Sequence, residues 1–301
     1  MRKPDPLTGA RDLSFHPADP NGGDVLTVSQ IEQFNRDGYI SGVRIFDTKE
    51  ADDLRVYIDN LIEQVISAPD QRNSYSINTY HVVCERLYEL AVEPRILACV
   101  KDLLGEEVVL WGSHLFAKMS GDGKVVPMHQ DAVYWPLTPS KSVSVWLAID
   151  DADAENAAMQ FVPASHRLGP LEHEELGLGE GRVLGRQVVE PEQYAERFVN
   201  VLKSGEISMH SDLLLHGSDA NRSDRRRAGM TLRYTHASVR LIDGYDSWRK
   251  SAVHVMKGDV DEFWYNRRRP EGEHPEKMAD LWGGFDGQEM EQAKVLFHKE
   301  P

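Results

Sequence analysis

The feature that most restricts the fold of this chain is a change in the spacing of its apolar residues near Val108. Before that point, apolar residues recur at helical spacing in segments that begin at Asp47 and at Pro94. After it, short apolar runs are separated by turns that contain Gly and Pro, a pattern typical of a sandwich or barrel. The sequence therefore predicts an α+β fold in which helices pack on a β-sheet.

Three helices are expected before Val108, and six stretches of strand from Val108 onward. Residues with capping preferences mark the helix ends: Thr27 or Ser29 before a short helix through Phe34, Asp47 with Glu50 at the start of the second, and Pro94 and Gly105 at the two ends of the third. The predicted strands are 108–119, the segment around 127–131, 142–149, 159–162, 203–216 and 230–237.

The chain is predicted to form one domain behind a short arm. Residues 1–26 are rich in Pro, Gly and Asp, which indicates an extended or poorly ordered arm. Residues 27–301 form the predicted domain, with a tail over 238–301 whose last stretch, 288–298, is helical by pattern. The polar segment 168–200 is long for a connection between strands, which is typical of a lid, a binding loop or a disordered segment.

Charge and cysteine usage exclude several classes of partner. The 34 Lys and Arg stand against 49 Asp and Glu, a net charge of −15, so nucleic acid and anionic membranes are not expected partners. Neither a signal peptide nor an apolar membrane span is found. The two cysteines, Cys84 and Cys99, lie in apolar surroundings and form no Cys-x-x-Cys pattern, so we expect reduced thiols in a cytoplasmic protein. The oligomeric state is left open.

A His-x-Asp pair at His129 and Asp131 is the strongest indication of chemistry. On a strand, residues two apart project from one face, so both side chains can reach one point in space. An imidazole and a carboxylate suit a divalent first-row metal, and a third ligand, His216, would complete a 2-His-1-carboxylate set that leaves positions open for Fe(II) chemistry. A bare His-x-Asp is more often chance than site.

A second His-x-Asp, at His210 and Asp212, competes for the same role. By strand alternation, both residues would share a face with His216. We favour the first pair because it is followed by the aromatic residues Tyr134 and Trp135, which could form a substrate wall. His210 is then interpreted as a core histidine or one that supports the ligands.

Several blocks of the sequence, in order, resemble the phytanoyl-CoA dioxygenase family of Fe(II)/2-oxoglutarate oxygenases, which includes ectoine hydroxylases. The resemblance covers roughly residues 29–236, with one departure at Ala164, where the family usually has Gly. The matching blocks are residues 115–118, 129–131, 144–150, 156–159 and 161–166, and last 216–218 with Asn221, Ser223 and Arg226–Arg227.

The resemblance implies a double-stranded β-helix, or jelly-roll, core with flanking N-terminal helices, Fe(II) as the metal, and 2-oxoglutarate and O2 as co-substrates. His129, Asp131 and His216 are then the metal ligands. Arg227 follows His216 at the family's distance of eleven residues, and with Ser218 it is expected to bind the distal carboxylate of 2-oxoglutarate. The resemblance also places three further residues beside the co-substrate, namely Lys118, Gln130 and Trp146.

The family implies an oxidoreductase that acts on a small molecule. Related halogenases replace the metal carboxylate with Ala or Gly, so the presence of Asp131 predicts a hydroxylase rather than a halogenase. A small polar metabolite or a natural-product intermediate is the preferred substrate. Two alternatives stay open: a non-catalytic jelly-roll binding protein, and a cupin-like metalloenzyme that does not use 2-oxoglutarate.

Overall fold

The computed structural model describes residues 11–69, 72–177, 181–255 and 262–278. Four α-helices lie ahead of most of the strands: α1 (Val28–Asp37), α2 (Thr48–Ile66), α3 (Glu85–Ala91) and α4 (Pro94–Leu104). The predicted caps are present, since Thr27 and Asp47 each accept a backbone hydrogen bond in a capping box. The sequence does not predict α3, which is seven residues long and has no side-chain capping bond.

The described residues form strands of two to eleven residues, as short strands with frequent turns predict. They are β1 (Tyr39–Arg44), β2 (Val108–Lys118), β3 (Val126–His129), β4 (Leu137–Thr138), β5 (Ser142–Ala148), β6 (Gln160–Phe161), β7 (His173–Glu175), β8 (Arg186–Val188), β9 (Phe198–Val199), β10 (Glu206–Ser211), β11 (His216–Ser218), β12 (Arg227–His236), β13 (Arg240–Leu241) and β14 (Val253–His254).

These strands form two main antiparallel sheets. The larger has the order β1-β10-β5-β12-β2-β14 and the smaller the order β3-β11-β6-β9, while β13 pairs with β4 and β7 with β8. The predicted α+β class and jelly-roll core are confirmed. One strand prediction is wrong: 203–216 is two strands, because the chain turns after Ser211 and passes from the larger sheet to the smaller.

The central strand β12 separates the core from the pocket. Successive side chains of a strand point to opposite faces, and the residues of β12 alternate accordingly. Those of one face pack with the helices in the main apolar core, namely Ala228, Met230, Leu232 and Tyr234. Those of the other face are Arg227, Gly229, Thr231 and Arg233, three of which line a pocket shared with the smaller sheet.

The segments outside the core also contribute to the fold. Residues 11–15 of the predicted arm pack beside the metal segment, since Leu13 is buried with Ala132 and Leu213. The tail supplies β13, β14 and the buried Trp264, while its predicted helix, 288–298, lies outside the described residues. Of the helices that the structure describes, none has the length and apolar character to cross a membrane. The single domain over 27–301 stays a prediction.

Candidate metal centre and its pocket

Pairing between β3 and β11 brings the two histidines of the predicted triad together. His129 and His216 are direct cross-strand partners, and their ring centroids lie 4.3 Å apart. Together with Asp131 they offer three ligand atoms that all lie within 4.8 Å of one another, and all three residues are buried. Within the part of the chain that the structure describes, no other group of three such side chains is close enough to hold a metal ion.

Asp131 reaches this point from a turn and not from a strand, which corrects the geometric reason given for the His-x-Asp spacing. β3 ends at His129, and Asp131 is the first residue of a short 3-10 helix, Asp131–Val133. Gln130 between them is still extended, with φ −103° and ψ 134°. Because Gln130 is extended, the side chain of Asp131, at the first position of the turn, lies on the same face as that of His129.

The two histidine ligands are held in the tautomer that metal binding needs. Nδ1 of His129 donates to the carbonyl of Pro127 at 2.8 Å, and Nδ1 of His216 donates to the carbonyl of Leu214 at 2.9 Å. A proton fixed on Nδ1 leaves the Nε2 lone pair free. These Nε2 atoms lie 3.7 Å and 4.0 Å from Oδ1 of Asp131. The donor set therefore fits a divalent cation.

Burial and mutual charge keep the donors in their metal-binding states. Burial lowers the pKa of His216 well below its usual range, so its imidazole is neutral. Burial alone would raise the pKa of Asp131, but the nearby imidazoles of His129, His210 and His216 hold that pKa well below its usual range. A neutral imidazole and an ionised carboxylate are the forms that bind metal.

Of the competing pair, His210 and Asp212, only His210 lines the pocket. His210 lies in the pocket, with Nε2 3.6 Å from Oδ2 of Asp131, but neither of its ring nitrogens has a hydrogen-bond partner. Asp212 instead accepts a hydrogen bond from Ser140 Oγ at 2.6 Å, and burial raises its pKa to about 7. Asp212 is also absent from the group of side chains close enough to hold a metal ion, so the geometry favours the first pair.

Ser144 orients the metal carboxylate, and its removal is expected to weaken metal binding. Its hydroxyl on β5 donates to Oδ2 of Asp131 at 2.9 Å, which leaves Oδ1 towards the two histidines. Loss of such a supporting bond costs roughly 10–100-fold in metal affinity, and we expect Ser144→Ala to lie near the lower end, at about tenfold. Competition against a chelator measures it. Ser142→Ala is the matched control, because Ser142 bonds to Thr235, and equal effects would contradict the role of Ser144.

The guanidinium of Arg227 lies in the same pocket and is a buried cation. Only 2% of it is exposed, its Nε donates to the carbonyl of Ala157 at 3.1 Å, and its Nη2 donates to Ser218 Oγ at 3.2 Å. No described carboxylate forms an ion pair with it. Burial lowers the pKa of Arg227 to about 10, so the guanidinium is still charged at neutral pH. A buried charge without a partner is unfavourable, and a pocket beside it suits an anion.

Trp146 forms a wall of this part of the pocket. Its ring lies 5.7 Å from the Arg227 guanidinium and is almost fully buried. The indole lies directly over Gly229 of β12, where a Cβ would come within 1.9 Å of the ring. The glycine is therefore required for this close approach, and Trp146 lines the pocket as predicted from the resemblance.

Lys118 and Gln130, in contrast, are not among the residues that line the pocket, and their contact with a co-substrate stays a prediction. The Lys118 ammonium donates to the carbonyls of Lys124, Ser218 and Asp219, and burial lowers its pKa to about 7. The Gln130 amide bonds to backbone groups of Gly169, Leu171 and Leu213. Both side chains hold loops together, because the polar atoms that could bind a co-substrate are already bonded to backbone.

Other residues that line the pocket are not found by sequence reasoning. They include Phe116, Leu184, Thr231 and Arg233. Strand alternation from Arg227 would have indicated Thr231 and Arg233 once the start of β12 was known. Leu184 comes from the 168–200 insertion, which is tied to the metal segment where the Tyr134 hydroxyl bonds to both the N–H and the carbonyl of Arg186, each at 3.0 Å.

Comparison with known proteins places this site in a family. The family model for phytanoyl-CoA dioxygenase (PhyH) matches residues 34–229. Peroxisomal phytanoyl-CoA dioxygenase of Bos taurus is 28% identical over 165 residues, which cover 53% of this chain and 49% of that protein. Ectoine dioxygenase of Sphingopyxis alaskensis is 26% identical over 247 residues, covering 72% and 78%. The match thus spans only about half of the bovine protein.

Solved structures share the fold at low identity. The apo form of the non-heme monooxygenase ThoJ superimposes with a TM-score of 0.72 at 24% identity, covering 88% of this chain and 96% of that one. The epimerase SnoN, solved with Fe3+, alpha ketoglutarate and nogalamycin RO, superimposes with a TM-score of 0.61 at 19% identity, covering 81% and 95%. At these identities the likeness establishes the jelly-roll architecture.

Proposed function

The chain belongs to the phytanoyl-CoA dioxygenase family, and we propose that it is an Fe(II)- and 2-oxoglutarate-dependent dioxygenase that hydroxylates an aliphatic C–H bond of a small molecule. When bound, iron and 2-oxoglutarate supply O2 activation coupled to conversion of 2-oxoglutarate to succinate and CO2. His129, Asp131 and His216 would hold the iron, which leaves coordination positions open for the co-substrates.

The observation that carries the proposal is Arg227. A jelly roll that binds a metal and no anionic ligand has no need for a buried guanidinium in its metal pocket. Arg227 has no ion-pair partner among the described residues, and it shares the pocket with the three ligands. A bidentate guanidinium fork with the Ser218 hydroxyl beside it suits the distal carboxylate of 2-oxoglutarate. This favours a 2-oxoglutarate enzyme over both alternatives.

The choice of hydroxylation rests on Asp131. Because a carboxylate occupies the third ligand position, chloride has no vacant place beside the metal, and transfer of oxygen to substrate is the simplest outcome. The aromatic and apolar lining, which includes Phe116, Met159 and Leu184, would exclude water from the reacting C–H bond. A small metabolite or natural-product intermediate is the proposed substrate class, and a cytoplasmic location stays a prediction.

Succinate formation tests the proposal directly. We expect the purified protein with Fe(II), 2-oxoglutarate and O2 to form succinate faster with one member of a panel of small metabolites, with an added oxygen atom in the product by mass spectrometry. Asp131→Ala is the control and should lose this stimulation. An iron-loaded protein that fails to form a 2-oxoglutarate complex would instead support a binding protein or a cupin-like enzyme.

A further inference from the structure

Arg233 is a second cation in the metal pocket, and the proposed function does not account for it. It lies six residues beyond Arg227 on the same face of β12. Its guanidinium lies beside a pair of indole rings that meet edge to face, 5.6 Å from the ring of Trp111 and 5.5 Å from that of Trp135. Ring faces attract cations but do not satisfy N–H donors.

The donors of Arg233 are left without acceptors. Within the described parts of the chain, the guanidinium makes no hydrogen bond and no ion pair, and its Nε is buried without a partner. The indole N–H of the neighbouring Trp111 is likewise buried and unpartnered. Burial lowers the pKa of Arg233 while the charge of Asp131 raises it. Unsatisfied buried donors are rare in folded proteins, and the Arg233 donor lies in the lining of the pocket, where a bound anion would satisfy it.

Neighbouring residues provide space for the Arg233 side chain and no acceptor for it. Its cross-strand partner on β2 is Gly112, where an added Cβ would lie 3.8 Å from Arg233 Cδ. Its partner on β5 is Ser144, whose hydroxyl already donates to Asp131. Asp131 is the nearest source of negative charge, but it lies beyond ion-pair distance and faces the metal ligands.

The two guanidinium groups, neither of which forms an ion pair with a described residue, lie at different places along β12, so each is available to a different anion. Arg227 is the first residue of β12 and bonds to Ser218, whereas Arg233 lies near the other end and pairs in register with Ser144, the residue that holds Asp131. On the proposed function, one carboxylate of 2-oxoglutarate goes to Arg227 and the 2-oxo acid end goes to the metal. Arg233 is therefore left for a different anion.

We propose that Arg233 binds a carboxylate group of the substrate, so that the enzyme acts on small monocarboxylic acids whose apolar part extends towards the metal. This inference rests on the proposed function. A single fork suits one carboxylate, and apart from histidines the lining contains no other basic side chain than Arg227. A polyphosphorylated thioester would place several negative charges where the described lining offers only one free cation.

Binding of acids and matched amides tests the inference without turnover. Anaerobic protein loaded with Fe(II) and 2-oxoglutarate is titrated by calorimetry with benzoate, 3-phenylpropanoate and hexanoate, and with the amide of each. We expect wild type to bind at least one acid about tenfold or more tighter than its amide, a difference of about 1.4 kcal/mol. R233M, which keeps an apolar side chain of similar length beside the indoles, should bind acid and amide equally. R233K should retain part of the preference.

The affinity for 2-oxoglutarate is followed by the visible charge-transfer band of its iron chelate. This measurement distinguishes a failure of the proposed function from a failure of the role of Arg233. R233M should leave this band and the 2-oxoglutarate affinity unchanged, which also shows that the variant is folded. Absence of the band in wild type would overturn the proposed function. A normal band with no acid preference for any pair, or a loss of 2-oxoglutarate affinity in R233M, would overturn the role of Arg233.

Discussion

Replacing His129 or His216 with alanine is expected to abolish iron retention and turnover. Either change leaves one imidazole and one carboxylate, and removal of a direct ligand should cost more than loss of a supporting contact, which alone weakens metal affinity by roughly 10–100-fold. A loss of at least about 100-fold is therefore expected. The iron content of the protein after desalting, and competition against a chelator, measure it.

His210→Ala is the control for this prediction. Its imidazole is as close to Asp131 as those of the two ligands, at 3.6 Å, but it has no carbonyl partner that would fix its tautomer. We expect this variant to retain most of its iron. The ligand assignment is wrong if His210→Ala loses the metal while His129→Ala keeps it.

The candidate metal site could be predicted because only a few residue types bind iron. Pairing His129 and Asp131 with His216, 87 residues after His129, rested chiefly on the family resemblance, because His210 and Asp212 form a rival pair. The backbone path was harder to predict. The passage from β10 to β11 looks like one continuous apolar strand, because Leu213, Leu214 and Leu215 are all buried within the turn itself.

Residues beside the site were predicted less well, because their roles depend on which backbone carbonyls come near. The sequence does not show that backbone carbonyls of neighbouring loops accept hydrogen bonds from the side chains of Lys118 and Gln130. Arg233 was missed for the opposite reason, since an isolated strand arginine normally points to solvent. Its position beside two indoles depends on Trp111 and Trp135, which meet only in the folded chain.

Arg226, the residue before Arg227, forms an ion pair that makes it a poor control. By sequence, Arg226 is an exposed turn residue and a natural control for Arg227. In the structure only 19% of its side chain is exposed, and it binds both oxygens of Asp150. Asp150 also accepts a hydrogen bond from the backbone N–H of Ala228, at the start of β12. Arg226→Ala would therefore disturb the strand that carries Arg227, and it is unsuitable as a control.

Arg225 is the better comparison for the role of its neighbour. Its side chain is 42% exposed, and its ion pairs with Asp153 and Glu155 lie at the surface. Such exposed pairs contribute little to stability, because solvent screens them. Arg225→Ala thus removes the same charge from the same segment without changing the pocket.

Arg227→Ala is expected to lower the affinity for 2-oxoglutarate by about 30-fold or more while iron affinity barely changes. Loss of one partner from a buried charge pair costs roughly 2–5 kcal/mol, and each tenfold change in affinity corresponds to about 1.4 kcal/mol. The iron ligands should be unaffected, because the guanidinium bonds to Ala157 and Ser218 and to none of the three.

Arg227→Lys should recover part of the affinity, because it keeps the charge and loses the fork. The 2-oxoglutarate dependence of chelate formation in these variants and in Arg225→Ala measures the effect. If Arg227→Ala and Arg225→Ala show equally small losses, another group anchors the co-substrate, and Arg233 is then the first residue to test in its place.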